Sequence, residues 1–342
     1  MINSKEQIIE YFKSGIKKTQ DFKIGVEHEK FLFNNHNNKR IDYSKVKEMF
    51  STLLEFGWNP ILEKENIIGL NKGGKNITLE PGNQIELSGD KLNHVHEACA
   101  ESQDYLFELR QVTKKLDIKI VSAGFDPISK LDEVPNNPKQ RYELMTKDMP
   151  LGGELSLDMM YRTCGTQLNI DYNSEKDFMD GKIDEIGNRL PTENDLTTHL
   201  STIFTENRLK KYIELRSMDT CGWDCLCSGP PFNIGMLYGT LDETYELISN
   251  WDKDKILNAY LEAPKKGFNT QLMGKDLLYW ASTLLDLSRK GLEKRDILNK
   301  HEKNETLFLN HLQKVIDNKT TNADHMISKF SKSENLNELY DK

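Results

Sequence analysis

The sequence has 342 residues, of which 37% are hydrophobic and 29% are charged, and its formal net charge is −8. This length allows a substantial hydrophobic core, and the composition is typical of a globular protein without a membrane-spanning segment. The negative charge argues against nucleic acid or an anionic membrane as the main partner, but a nucleotide bound together with divalent cations is compatible with it.

The N-terminal residues 1–15 predict an amphipathic helix and not a secretory signal, because they contain no continuous apolar segment. Ser4 and Gln7 form a capping-box pattern ahead of its apolar positions. The chain has five cysteines, an odd number that does not suggest a disulfide framework. These features predict a cytoplasmic protein with reduced thiols.

Helical and strand patterns alternate through the first two-thirds of the chain. Apolar residues at helical spacing predict helices over 44–56, with Gly57 as the stop, and over 94–116. Alternating polar and apolar residues predict strands over 22–33, 76–87, 161–172 and 211–217. We therefore predict one α+β domain over 1–342, with a mainly antiparallel sheet within 20–220 and a helical part at 230–342.

The first predicted strand places two acids on one face. Glu27 and Glu29 lie two residues apart and point away from the side occupied by Ile24 and Val26. Two such acids repel each other unless a cation or a basic group lies between them. A solvated sheet face explains one pair equally well, so this pair alone decides little.

The segment 76–87 predicts a hairpin that turns at Pro81-Gly82. A two-residue loop would mix polar and apolar side chains on each face. A three-residue loop, Pro81-Gly82-Asn83, places the apolar residues together and puts Glu80 and Glu86 on the opposite face. The hydrophobic pattern therefore favours the three-residue loop and gives a second pair of acids.

The last two strand patterns add further polar groups. In 161–172 the polar face carries Thr163 and Gln167, and in 211–217 it carries Glu214 and Arg216. A surface ion pair is the simpler explanation for Glu214 and Arg216. If the four polar faces line one concave sheet, however, five carboxylates and an arginine converge, and hard divalent cations such as Mg²⁺ would be needed to offset their repulsion.

Several blocks of sequence resemble one known family. They are GVEHEKF, ENIIGLNKGGKNITLEPGNQIELSGD, AGFDP, RYELM, LDMMYRTCGTQLNIDYNSE, LTTHLSTIFTENRLKKYIELRSMD and PPFNIGMLY. They occur in the order found in glutamate–cysteine ligases of the plant and proteobacterial type, and they span about Phe22 to Tyr238. The resemblance implies a fold similar to glutamine synthetase, a curved antiparallel sheet that forms a funnel with helices around it.

The resemblance also implies a reaction. Members join cysteine to the γ-carboxylate of glutamate through γ-glutamyl phosphate, the first step of glutathione biosynthesis, with ATP as co-substrate and Mg²⁺ as cofactor. It implies small-molecule partners only, with no nucleic acid or membrane, and a monomer or homodimer. The implied metal ligands are Glu27, Glu29, Glu80, Glu86, Gln167 and Glu214. Arg216 would contact the transferred phosphoryl group, and Arg141, Arg162 and Thr163 would border the amino-acid pocket.

The sequence departs from the family in one region. Relatives carry a long segment after the block that corresponds to Asn173-Ser174-Glu175, and it includes an arginine that helps to hold glutamate. Here only a short stretch precedes Leu190-Pro191-Thr192. Two alternatives therefore stay open, namely another carboxylate–amine ligase of the same fold and a non-catalytic member that binds nucleotide and metal.

Overall fold

The computed structural model of the protein describes residues 2, 4–174 and 192–333. Two compact units form, Met1–Thr220 and Cys221–Lys342. The first unit combines helices with an antiparallel sheet, and the second is mainly helical, so the predicted α+β class is confirmed. The prediction of one domain over 1–342 stays a prediction.

The elements of the first unit follow the predicted order. Its described strands are β1 (Ile24–Asn34), β2 (Asn59–Glu63), β3 (Asn66–Lys72), β4 (Lys75–Leu79), β5 (Ile85–Ser88), β6 (Ile118–Val121), β7 (Gly165–Ile170), β8 (Asn207–Leu209) and β9 (Ile213–Asp219). Its described helices are α1 (Lys5–Lys13), α2 (Tyr43–Leu53), α3 (Val95–Lys115), α4 (Gln140–Asp148), α5 (Ser156–Arg162) and α6 (Glu193–Leu200). The two predicted long helices are confirmed, and Gly57 ends the first with a φ of 84°.

The sheet has the order β2-β3-β4-β5-β1-β7-β9-β8, and β6 pairs with the far end of β1. One face packs against α2 and α3 and carries apolar side chains. Val26, Leu87 and Leu168 on that face are at most 4% exposed. Because side chains alternate along a strand, this burial turns Glu27, Glu29 and Glu86 to the opposite face.

The hairpin between β4 and β5 has the predicted register. Thr78 lies opposite Glu86, and the Glu80 backbone amide donates to the Gln84 carbonyl at 2.9 Å. Asn83 adopts a φ of 61° in the loop, a left-handed conformation that asparagine tolerates better than most residues. The three-residue loop is therefore confirmed.

The predicted strand over 161–172 is wrong in its first part. Residues up to Arg162 belong to α5, and β7 begins at Gly165. Met160 and Tyr161 of α5 are buried in an apolar cluster with Val134. This packing stabilises a short helix where the local alternation of polar and apolar residues suggested a strand.

The second unit is built mainly of helices. Its described elements are α7 (Trp223–Leu226), α8 (Gly229–Ile234), a π-helix (Gly235–Gly239), α9 (Leu241–Ile248), α10 (Lys253–Lys266), β10 (Gln271–Leu272), β11 (Lys275–Asp276), α11 (Leu277–Arg295), α12 (Asn310–Asn318) and α13 (Asn322–Ser333). The π-helix packs on α11 so closely that a Cβ at Gly291 would overlap the Gly235 carbonyl oxygen. Among the described helices, none has the length and apolar character that a membrane crossing requires.

A disulfide joins Cys221 and Cys225, whose Cα atoms lie 5.8 Å apart. The cysteine count had predicted reduced thiols at both positions. The pair is therefore a correction to that expectation, and it removes part of the support for a reducing compartment.

Candidate active site

A cavity of about 270 Å³ lies on the polar face of the sheet in the first unit. Charged and polar side chains line most of it. The predicted site residues among them are Glu27, Glu29, Glu80, Glu86, Arg141, Thr163, Gln167, Glu214 and Arg216. The cavity thus brings together the residues named from the sequence, with the exception of Arg162.

Side-chain and backbone amides of β7 hold the two acids of β1. Asn169 donates to Glu27 at 2.6 Å, and the Gln167 amide donates to one oxygen of Glu29 at 2.8 Å. The backbone amide of Gly165 donates to the other oxygen of Glu29 at 2.8 Å. The antiparallel register places Glu27 directly opposite Gln167, so these contacts follow from strand pairing.

The β4–β5 hairpin supplies the second pair of acids. Glu86 lies opposite Glu29 in the β1–β5 register. The Tyr142 hydroxyl of α4 lies 3.2 Å from the Glu80 carboxylate and donates to the Leu79 carbonyl at 2.8 Å. Gln84, which is 1% exposed, donates to the carbonyls of two residues in and after α5. The hairpin loop is therefore anchored to both α4 and α5.

Glu214 on β9 is surrounded by cations. Arg208 donates to both of its oxygens at 2.8 Å, Arg216 donates at 2.8 Å, and the Lys210 ammonium lies at 3.0 Å. Burial alone would raise the pKa of Glu214, but the hydrogen bonds from Arg208 and the three positive charges lower it to about 2. Glu214 therefore stays ionised throughout the physiological pH range.

The other acids have the opposite electrostatic environment. Burial, followed by repulsion from Glu86 and Glu214, raises the pKa of Glu27 to about 8. Burial and repulsion from Glu86 raise the pKa of Glu80 to about 7, and burial with the charges of Glu80 and Glu86 raises the pKa of Glu29 well above its ordinary value. These carboxylates lack sufficient positive charge, which a bound divalent cation would supply.

The donor set fits Mg²⁺, whose preferred ligands are oxygen atoms. The Gln167 side-chain oxygen is buried and accepts no hydrogen bond from any described residue. Among the described residues, however, no group of three or more His, Cys, Asp or Glu side chains is already arranged to hold a metal ion. Glu214 is the least available ligand of the set, because cations already contact both of its oxygens.

Arg141 and an apolar surface border the rest of the pocket. Arg141 donates to the Ser201 carbonyl at 3.3 Å, the same carbonyl that accepts from Arg208 at 2.9 Å. The apolar lining includes Met145, Met159, Met160 and Phe204. This side of the pocket could contact an uncharged part of a substrate while Arg141 binds an acidic part.

Arg162 does not line this pocket, and its place at the amino-acid pocket stays a prediction. As the last residue of α5 it pairs with Asp158 at 2.7 Å, and its guanidinium lies 4.4 Å from the centre of the Phe125 ring. Thr163 lines the pocket although it precedes β7, and its hydroxyl donates to the Met159 carbonyl. The sequence predicted a strand here, but the chain forms helix α5 up to Arg162. The end of this helix between the two residues explains why Thr163 lines the pocket and Arg162 does not.

Arg208, Lys210 and Tyr142 line the pocket and contact its predicted acids, but they were not predicted from the sequence. The first two belong to β8 and the turn that follows it. Strand β8 has only three residues, too few for a recognisable alternation. The available signal was the basic run that precedes Glu214, since a hairpin turn there places Arg208 opposite Glu214.

The raised pKa values predict how pH changes the stability of the metal-free protein. Glu27 and Glu80 release protons near pH 8 and 7 when folded, but near 4.5 when unfolded. The contribution of these two groups to the free energy of unfolding is therefore fully present below pH 4.5. It is lost as the pH rises through their folded-state pKa values of about 7 and 8.

We therefore expect the Tm of metal-free protein to fall by about 5 °C or more between pH 6 and pH 9. Differential scanning calorimetry in chelator would measure it. Mg²⁺ should reduce the fall, and Glu27→Gln should flatten the profile. A Tm that is constant or rises over this range would contradict the electrostatic assignment.

Comparison with known proteins identifies the family. The model described as Glutamate-cysteine ligase family 2 (GCS2) matches residues 23–181 and 177–342. Glutamate–cysteine ligase A, chloroplastic, of Oryza sativa subsp. indica is 30% identical over 420 residues, covering 95% of this chain and 84% of that protein. The chloroplastic glutamate–cysteine ligase of Solanum lycopersicum is 29% identical over 422 residues, covering 95% of this chain and 79% of that protein.

A solved structure is similar in fold. The crystal structure of glutamate–cysteine ligase from Francisella tularensis in complex with AMP has a TM-score of 0.54 at 11% sequence identity. The similarity covers 93% of this chain and 86% of that chain. It supports the predicted fold class.

The comparisons also bear on compartment and length. The plant relatives are named chloroplastic, and this finding makes the prediction of a cytoplasmic protein wrong. An alignment of 422 residues against a chain of 342 requires segments in the relative that this chain lacks. The predicted position of the shortening, after Asn173-Ser174-Glu175, adjoins the residues 175–191 that lie outside the described ones.

The two matches to the family model, which meet near residue 180, together span residues 23–342, and the chain belongs to glutamate–cysteine ligase family 2.

Proposed function

We propose that the protein is an ATP- and Mg²⁺-dependent glutamate–cysteine ligase that catalyses the first step of glutathione biosynthesis. The observation that carries the proposal is a single pocket in which carboxylates of β1 and the β4–β5 hairpin oppose the cations of β8 and β9. Such a pocket suits a phosphate chain that binds metal ions on one side and basic side chains on the other.

In the proposed reaction the side-chain carboxylate of glutamate attacks the terminal phosphorus of ATP, which forms γ-glutamyl phosphate and releases ADP. The cysteine amine then displaces phosphate from γ-glutamyl phosphate to form the amide. Arg216 offsets negative charge on the transferring phosphoryl group, and catalysis consists mostly of positioning and electrostatics. The residues that would hold Mg²⁺ are Glu27, Glu29, Glu80, Glu86 and Gln167, together with Glu214. When bound, Mg²⁺ would offset further negative charge on the phosphate groups.

The amino-acid substrates would bind at the other side of the pocket. Arg141 is the lining arginine outside the Glu214 cluster and is suited to pair with a substrate carboxylate. Thr163 offers a hydroxyl nearby. The proposed partners are these small molecules alone, bound by a monomer or homodimer.

The decisive assay measures phosphate release from ATP in the presence of Mg²⁺, with glutamate and cysteine each omitted in turn. Release that needs both amino acids, together with γ-glutamylcysteine detected by mass spectrometry, supports the proposal. Turnover with a different acid or amine from a panel would favour another carboxylate–amine ligase. Nucleotide binding without any turnover would favour a non-catalytic member.

The shortened region leads to a prediction about affinity. Removal of an arginine that pairs with a substrate carboxylate leaves that carboxylate partly unpaired in the bound state. We expect Mg²⁺–ATP affinity close to that of the rice relative and glutamate affinity weaker by about a hundredfold, at about 1.4 kcal/mol per decade. Calorimetric titration of both proteins side by side would test this, and equal glutamate affinity would mean that Arg141 suffices.

A further inference from the structure

Arg208 is the fixed counter-ion of Glu214. Its side chain is 8% exposed, and it donates from Nε to Oε2 and from Nη2 to Oε1, both at 2.8 Å. Arg208 lies directly opposite Glu214 in the β8–β9 register, so strand pairing enforces this two-bond geometry. A buried guanidinium in such a geometry is sufficient to balance one carboxylate.

Lys210 and Arg216 contact the same carboxylate in a different way. Each makes one contact, from Lys210 Nζ to Oε2 at 3.0 Å and from Arg216 Nη1 to Oε1 at 2.8 Å. Each side chain is 20% exposed, and both line the pocket. Because Arg208 already contacts both oxygens of Glu214, that carboxylate does not depend on Lys210 or Arg216 for its counter-ion.

The turn between β8 and β9 fixes the position of Lys210. Its backbone amide donates to the Tyr212 carbonyl at 2.7 Å. Its ammonium donates to the Tyr212 hydroxyl at 3.3 Å and lies 5.3 Å from the centre of that ring. Because both the backbone and the ammonium of Lys210 have contacts, its side chain is already ordered. Binding a ligand therefore costs less side-chain entropy than it would for a mobile lysine.

The acids of the cavity limit which anion Lys210 and Arg216 can bind. Glu27, Glu29 and Glu86 face the same cavity and would repel a simple anion. A nucleotide phosphate carries divalent cations on some of its oxygens and leaves others exposed. Such a group can bind the carboxylates through its metal ions, and it can bind Lys210 and Arg216 through its free oxygens.

We propose that Lys210 is a second phosphate-contacting cation beside Arg216, and that Arg208 keeps both available by neutralising Glu214. This inference rests on the proposed function for the identity of the anion as the transferred phosphoryl group. Lys210 would bind an oxygen on which negative charge increases during transfer.

The test compares Lys210→Met, Lys210→Arg and the control Lys211→Met with the native protein. Lys211 is the next residue in the turn, but it pairs with Glu193 at 3.0 Å and does not line the pocket. Calorimetry would measure binding of Mg²⁺–ADP alone and of Mg²⁺–ADP with aluminium fluoride, which imitates the transferring phosphoryl group. Thermal unfolding would check that each variant is folded.

We expect Lys210→Met to weaken the aluminium fluoride complex by about 100-fold and Mg²⁺–ADP by less than about 3-fold. Lys210→Arg should recover most of the loss, and Lys211→Met should match the native protein in both titrations. Equal binding of the fluoride complex by Lys210→Met and native protein would overturn the inference.

The phosphate-release assay separates this inference from the proposed function. If native protein has no glutamate- and cysteine-dependent release but the fluoride complex still depends on Lys210, the ligase proposal fails and the phosphate site stands. If release occurs normally and Lys210→Met has no effect in either assay, the inference alone fails. If native protein neither releases phosphate in the presence of glutamate and cysteine nor binds the fluoride complex, both are overturned.

Discussion

Arg40→Met should lower the free energy of unfolding by about 3–5 kcal/mol, the range typical for loss of one partner of a buried ion pair. The side chains of Arg40 and Asp126 are both fully buried, and their charged atoms lie 3.0 Å apart. The substitution would leave the Asp126 carboxylate without its counter-ion inside the protein. Arg40 also donates to the Gly82 and Tyr161 carbonyls, so the loss would reach the hairpin loop beside the active site.

Urea denaturation would measure this loss, and two further variants make the result specific. Adding Asp126→Asn to Arg40→Met should recover part of the stability because it removes the unpaired charge. Lys45→Met, which breaks an exposed pair with Glu48, should cost less than about 1 kcal/mol. A cost for Arg40→Met as small as that of Lys45→Met would contradict the assignment of Arg40 as an anchor of the loop.

Arg216→Lys should reduce the rate of phosphate release by about a hundredfold, equivalent to about 3 kcal/mol of transition-state stabilisation. Arginine presents several donors in a planar fork, so Arg216 can keep its bond to Glu214 at 2.8 Å while it donates to a phosphate oxygen. A lysine ammonium is a single point charge and fits this double role poorly.

Steady-state kcat with saturating ATP, glutamate and cysteine is the appropriate measurement. Arg110→Lys on the exposed surface of α3 provides a matched control and should leave kcat unchanged. An unchanged kcat in Arg216→Lys would reduce Arg216 to an ion-pair partner of Glu214.

The parts of the site that could be predicted depend on local strand patterns. The alternation of Ile77, Leu79, Ile85 and Leu87 selects one hairpin register, and that register alone determines where Glu80 and Glu86 point. The four acids on β1 and the hairpin could therefore be placed on one sheet face from the amino-acid pattern alone.

The parts that could not be predicted depend on tertiary contacts. Arg208 acts through a strand of three residues, and its importance is visible only when Glu214 lies across from it. Arg162 lies outside the pocket because Met160 and Tyr161 pack as a helix against Val134. The compartment prediction used the number of cysteines, which carries no information about their separation in space or about the Cys221–Cys225 bond.

The close approach of Gly235 and Gly291 limits where residues can be inserted into or deleted from α11. Successive residues of an α-helix are rotated by about 100° around its axis, so one inserted residue between Ser288 and Gly291 would present a side chain to the π-helix instead of a hydrogen atom. Even a Cβ has no space there. Insertions and deletions in α11 before Gly291 should therefore be rejected, whereas those in the turn after Arg295 should be accepted. A library of single-codon insertions across 277–300, scored for soluble protein, would show this boundary directly.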